Sequence, residues 1–338
     1  MNNAETVFRF ENTSFGYPAV RNNHVLVESY TGEIKKGELS ALIGRNGTGK
    51  STILKSMVKL IPLLSGKIYL NNLPLTSIPP EEFPRLISFV STELPRNPVM
   101  TVYELVSLGR FPFTNWLGSI RKNDHTEVMN ALDATGLVNH AKKPLYQISD
   151  GERQRAMIAR TLAQNTPVII LDEPTAFLDL PNKYELISLL AELSTQGRTI
   201  IFSTHDTGIA LRFPDKLFIL NEKTITSGAP EDQILNGTVG NIFQSPGFTF
   251  SRKTGDIEIK RKNKNFVSVK CDDPVQREWT FRALKRAGYG IREKSETYLH
   301  IDATENDKKY SWKIRFKNFD NYFNSLYELN FFLNHIQI

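Results

Sequence analysis

Apolar positions in this chain change period several times, and each change marks an element. Val7-Phe8-Arg9-Phe10 alternates as a strand, and Glu38–Ile43 forms a second strand that stops at Gly44. After Lys50 the period lengthens. Ile53, Leu54, Met57 and Val58 recur at helical spacing, which predicts a helix over 51–60, and 66–70 returns to strand. The stretch from Thr101 to Leu145 is mainly helical, with Val102, Leu105, Val106, Val128, Leu132 and Leu137 as its apolar face. Val168-Ile169-Ile170-Leu171 is wholly apolar between Pro167 and Asp172, the pattern of a strand buried on both faces. A helix over 182–194 and a strand over 199–203 follow. This alternation predicts an α/β fold with a mostly parallel sheet.

Beyond Ser245-Pro246-Gly247 the pattern shortens. Strands are expected over 255–260 and 265–270, joined by the basic turn Arg261-Lys262-Asn263-Lys264. Asp273-Pro274-Val275-Gln276 carries the marks of a helix start: an N-cap, a first-turn proline and a Gln placed to close a capping box. Gly288 is the expected stop. Strands over 298–302 and 310–316 follow, and a last helix is expected to align Phe319, Tyr322, Phe323, Leu326 and Leu329. The division is therefore 1–245, with a helical subdomain over about 93–150, and a small accessory α+β domain over 246–338, ordered β-β-α-β-β-α.

Charge sharpens that division. The 338 residues carry a formal net charge of +6, from 42 Lys+Arg against 36 Asp+Glu. Residues 1–244 hold 24 of each sign, so the remaining 94 residues, with 18 basic and 12 acidic, carry the whole excess. They also hold 16 of the aromatics, whose spacing is that of a core; nucleic acid is disfavoured as a partner. Val168–Leu171 and Leu217–Leu220, the longest apolar runs, fall far short of the roughly 18 residues a membrane span needs. The opening Met1–Glu11 has no apolar run of a signal peptide. A single cysteine, Cys271, forbids an internal disulfide and has no neighbouring Cys or His at metal-site spacing.

Gly44-Arg45-Asn46-Gly47-Thr48-Gly49-Lys50-Ser51 follows a strand and opens a helix. Its glycines let consecutive N–H groups wrap a polyphosphate at a helix N-terminus. Lys50 would reach the β- and γ-phosphates, the Ser51 hydroxyl would ligate Mg2+, and Thr52 continues the cradle. Asp172 and Glu173 stand at the C-terminal end of a buried strand, where α/β sheets present ligand groups. Asp172 can hold Mg2+ through water, and Glu173 can orient or deprotonate the attacking water.

Ile148-Ser149-Asp150-Gly151-Glu152-Arg153-Gln154-Arg155 precedes that strand. With the two motifs above it resembles the signature of ABC-type ATPases, usually L-S-G-G-Q-x-Q-R, over about residues 5–240. The resemblance implies a P-loop cassette with a mostly parallel core sheet, an antiparallel β subdomain and a helical subdomain. It also implies ATP with Mg2+ as cofactors, and a homodimer in which Ser149 and Gly151 complete the partner's site. Tyr17 resembles the aromatic that stacks on adenine, Asp179 in Ala176-Phe177-Leu178-Asp179 the loop that faces the partner, and His205 the switch histidine at the γ-phosphate. The chain departs from the pattern at Asp150 and Glu152; the extra carboxylates should weaken a phosphate site unless a cation such as Arg153 or Arg155 offsets them. Where the family carries a coupling glutamine, counting back from Thr101 places Thr92, followed by Glu93.

Thr101-Val102-Tyr103-Glu104-Leu105-Val106-Ser107-Leu108-Gly109-Arg110-Phe111-Pro112 looks like the permease-docking region of importers for ferric siderophores, haem and vitamin B12. The resemblance therefore implies an ATPase subunit at the cytoplasmic face of the membrane, working with separate permease subunits and, through them, a substrate-binding protein. The alternatives are an importer of another substrate, and a soluble ABC ATPase of DNA repair or translation. One cassette and the lack of a heptad run weigh against the latter.

Overall fold

A computed structural model describes residues 5–19, 22–91, 99–114, 121–243, 247–259, 265–292, 299–306, 309–316 and 319–335. The chain separates into two compact units, Met1–Gln244 with Phe250–Ile257, and Ser245–Thr249 with Glu258–Ile338.

The larger unit is built on a sheet whose described strands run in the order Thr224–Gly228, Lys216–Asn221, Leu39–Gly44, Thr199–Ser203, Val168–Leu171 and Ile87–Val90. All pair in parallel except the Thr224–Gly228 edge, which closes an antiparallel hairpin. Side-chain alternation shows why the Val168–Leu171 strand is apolar throughout. Ile169 and Leu171 enter the core shared with the helices, while Val168 and Ile170 enter the core on the other face. The second core is closed by an antiparallel sheet in the order His24–Lys35, Thr6–Tyr17, Ser65–Leu70 and Leu73–Pro74, which brings Phe8, Phe10, Phe15 and Tyr30 inward.

The helical stretch divides into Val102–Ser107, Lys122–Ala134 and Asp150–Ala163, packed through Val102, Leu105, Val106, Val128 and Leu132. Thr101 caps the first of these in a full capping box with Glu104. Arg110 is buried there, its guanidinium bonding Asp124 at 2.9 Å and the Ala163 carbonyl at 2.8 Å. Within the helical subdomain, Arg110 therefore serves packing.

The smaller unit is a five-stranded sheet in the order Tyr289–Ile291, Asn265–Cys271, Leu299–Asn306, Lys309–Phe316 and Phe319–Phe323, with helices Pro274–Ala287 and Leu326–His335 on one face. Two expectations change here. Phe319–Phe323 is a strand pairing with Trp312–Phe316, so Phe319 and Tyr322 do not share a helix with Leu326 and Leu329. Asp273 caps its helix as expected, but the Gln276 side chain turns away to donate to the Thr304 and Ser311 carbonyls, so the capping box stays half-formed. Cys271 is buried in this core, and burial pushes its thiol pKa up. No helix among the described residues is long and apolar enough to cross a membrane.

Candidate active site

The site begins where the Leu39–Gly44 strand runs out. Gly47 and Gly49 take φ of 79° and 110°, backbone that a side chain resists, and Gly49 serves as N-cap of the Lys50–Met57 helix. A Cβ on Gly49 would also press on the Leu26 side chain, whose Cδ1 lies 2.8 Å from its place, so Leu26 would have to shift. Lys50 is 6% exposed, and its Nζ donates to the Gly44 and Arg45 carbonyls at 3.0 and 3.4 Å. Burial lowers its pKa, while the nearby charges of Glu173 and Asp172 pull it back up. Thr48 is held on the loop by its hydroxyl bond to Arg45 O at 2.8 Å. Arg45 itself reaches the Ile242 carbonyl at 3.3 Å.

Around this loop opens a cavity of about 520 Å3. It is lined by Asn46, Gly47, Gly49, Lys50, Ser51 and Thr52 of the loop and its helix, by Glu173 and His205, and by Tyr17, His24 and Leu26. Tyr17 is 47% exposed, and its hydroxyl meets Thr52 Oγ1 at 2.9 Å, which fixes an aromatic face beside the phosphate loop. His24 stands opposite Tyr17 in the antiparallel register. His24 and Leu26 were not anticipated; they belong to a strand whose apolar pattern is too irregular to announce itself.

The acidic end of the Val168–Leu171 strand is locked by Ser203 on the adjacent strand. Ser203 Oγ donates to Asp172 Oδ1 at 2.6 Å and accepts from the Glu173 N–H at 2.9 Å. Glu173 takes a φ of 49°, uncommon for a non-glycine residue, and this bond holds its backbone there. Its carboxylate Oε2 then lies 3.3 Å from His205 Nδ1. Asp172 is 2% exposed. The oxygen donors available, Ser51 and Asp172, fit Mg2+, which prefers one or two protein oxygens together with substrate phosphates and water. Among the described residues no group of three or more His, Cys, Asp and Glu could hold a metal without such help.

Ser149, Gly151 and Asp179 do not line this cavity. Ser149 caps the Asp150–Ala163 helix in a full capping box: Glu152 N–H donates to Ser149 Oγ at 3.2 Å, and Glu152 Oε2 accepts from Ser149 N–H at 2.7 Å. That backbone bond lowers the Glu152 pKa, burial opposes it, and the charges of His140 and Lys143 assist. Glu152 Oε1 also lies 3.0 Å from His140 Nε2. Asp150 pairs with Arg153 at 2.7 Å, while Arg155 turns to Asn182. Gly151 packs against the Phe177 carbonyl, 3.3 Å from where a Cβ would stand. Asp179 caps the Leu180–Thr195 helix through the Asn182 N–H. Thr92 and Glu93 lie outside the described residues.

Residues 27–176 match the ABC transporter family model, and residues 252–334 match the iron ABC transporter C-terminal domain. An uncharacterised ABC transporter ATP-binding protein of Methanocaldococcus jannaschii is 35% identical over 78% of this chain and 91% of its own length. The ferric enterobactin transport ATP-binding protein of Escherichia coli is 34% identical over 70% and 86% respectively. Among solved structures, a dimeric bacterial ABC transporter cassette superimposes with a TM-score of 0.60 at 25% identity, covering 66% of this chain and 98% of its own.

Proposed function

We propose that this chain, which belongs to the ABC transporter family of ATP-binding proteins, hydrolyses ATP to drive import of an iron chelate through a separate membrane permease. The observation that carries the reading is the cavity in which the phosphate loop, Lys50 and Ser51 face Glu173 and His205. The iron specificity is supported by the C-terminal match and by the ferric enterobactin relative.

In this reading, Gly44–Ser51 N–H groups cradle the phosphates and Lys50 leaves its carbonyl partners to meet the β- and γ-oxygens. Ser51 and Asp172 would hold Mg2+, which would supply positive charge against that developing on the phosphates. Tyr17 stacks on the base. Glu173 accepts the proton of the attacking water, and His205, within 3.3 Å of it, contacts the γ-phosphate. Ser149, Gly151 and Asp179 stand away from the chain's own cavity on exposed helix N-termini, as expected if they close on a second copy. The dimeric cassette of similar fold supports that arrangement. The subunit then sits at the cytoplasmic face of the membrane, bound to its permease.

Two substitutions separate the roles. Lys50→Ala should abolish ATP binding and turnover. Glu173→Gln should keep binding, slow turnover by about 100-fold or more, and accumulate an ATP-bound dimer on size exclusion. Full turnover by Glu173→Gln sinks the general-base assignment. Co-purification with a permease and uptake of a ferric chelate, lost in Lys50→Ala cells, test the transport role.

A further inference from the structure

Glu152 stands where the signature pattern usually has glutamine, and both of its carboxylate oxygens are engaged. Oε2 accepts from the Ser149 N–H at 2.7 Å, a bond that a glutamine oxygen can also make. Oε1 lies 3.0 Å from His140 Nε2. Two donors therefore converge on one side-chain head. A carboxylate satisfies both; an amide, with one oxygen and one NH2, satisfies one.

The histidine is matched to the acid in turn. The Ser149 N–H holds the Glu152 pKa below its ordinary value, so the carboxylate accepts only, and His140 Nε2 carries the proton between them. Nδ1 of the neutral ring is then a lone pair, buried without a hydrogen-bond partner among the described residues. With glutamine at 152, His140 can meet the amide only by moving its proton to Nδ1. That would bury an N–H with no acceptor.

The backbone fixes His140 from the other side. It ends the short helix Val138–His140, its N–H donates to the Leu137 carbonyl, and its carbonyl accepts from the Lys143 N–H. The residues that follow are tied to the start of the Val102–Ser107 helix. Tyr103 N–H donates to the Ala141 carbonyl at 2.8 Å, and Val102 N–H to the Lys143 carbonyl at 3.0 Å. Arg153 fastens the same segment to the Asp150–Ala163 helix through the Leu145 carbonyl at 3.1 Å.

We propose that His140 is a positioning residue for ATP hydrolysis. By holding Glu152 Oε1 it fixes the first turn of the Asp150–Ala163 helix, and with it the Ser149 hydroxyl, which accepts from the Glu152 N–H at 3.2 Å. The inference rests on the reading that Ser149 and Gly151 complete the partner's nucleotide site.

The full chain is assayed for ATP turnover and for ADP binding, which reports on each chain's own cavity. His140→Leu should lower kcat about tenfold, the rate equivalent of one lost bond to a charged group, and leave ADP affinity unchanged. His140→Gln, whose amide nitrogen can stand in for Nε2, should return kcat to within about twofold of wild type. Glu152→Gln should match His140→Leu, and the double variant should lose no more than either alone. Wild-type turnover by His140→Leu overturns the proposal. So does a loss that His140→Gln shares, a loss that multiplies in the double variant, or ADP affinity that falls together with kcat. Ser149→Ala separates the two readings. Impaired turnover there beside a normal His140→Leu sinks the proposal alone, whereas full turnover removes the partner-site reading and the proposal with it.

Discussion

Ser203 joins the two acidic residues at the end of the Val168–Leu171 strand: one hydroxyl bonds the Asp172 carboxylate and receives the Glu173 N–H. Losing it would remove a hydrogen bond from a buried carboxylate and the bond that holds a left-handed backbone at once. Ser203→Ala should therefore cost about 1–2 kcal/mol in urea unfolding. If Asp172 holds Mg2+, the variant should also shift the Mg2+ midpoint of hydrolysis upward by about tenfold, with the KM for ATP little changed. An unmoved Mg2+ midpoint would leave Ser203 a packing residue only. The phosphate loop was legible because its glycines act locally: Gly47 and Gly49 are demanded by their own φ. Ser203 and Leu26 were not, because the groups they meet, Asp172 and Glu173 for one and Gly49 for the other, are brought beside them only by the fold; His24 stands opposite Tyr17 but belongs to no motif of its own.

At the scale of elements, two helix starts carry full capping boxes, at Thr101 with Glu104 and at Ser149 with Glu152. The second occupies the stretch that resembles the signature motif, so in the proposed reading the helix cap and the partner's site share the same residues. Ser149→Ala should cost about 1 kcal/mol. Glu152→Gln keeps the cap but loses the charge that His140 Nε2 meets at 3.0 Å. The Glu152 pKa lies below its ordinary 4.5, so its contribution is present above that pH and lost as pH falls through the folded value. Wild type should thus exceed Glu152→Gln in stability near neutral pH, and the gap should close in acid; denaturant midpoints at both pH values check this. A pH-independent gap would refute the charge argument. Elements with an unambiguous pattern, such as the wholly apolar Val168–Leu171, were legible in the sequence. The end of the chain was not: Phe319, Tyr322 and Phe323 fit a helical face, yet pairing with the preceding strand wins, and only Phe323 of the three is buried. Gln276 was misassigned for the same reason, since the carbonyls of Thr304 and Ser311 arrive from strands distant in sequence.

For the whole molecule, the charge count locates the composition change near residue 245, and the family resemblance ends there too. Packing divides the chain differently. Phe250 returns to the larger unit, 9% exposed, beside Gly240 and in the same core as Val239 and Ile242. Gly255 stands near Leu211, and Arg252 Nη1 reaches the Leu235 carbonyl at 3.5 Å. Net charge could not register this, because a single buried aromatic decides it. We therefore propose a working boundary after Ile257 as the alternative to one after 245. A fragment ending at 257 should be more stable than one ending at 245 by about 2–3 kcal/mol, the worth of burying one phenylalanine. Phe250→Ala in the longer fragment should return most of that difference, because the loss resides in one side chain and not in chain length. Equal melting of the two fragments would restore the earlier boundary. If the longer fragment also keeps ATP binding, the neutral part of the chain carries the nucleotide chemistry, and the basic excess of residues 245–338 lies outside it.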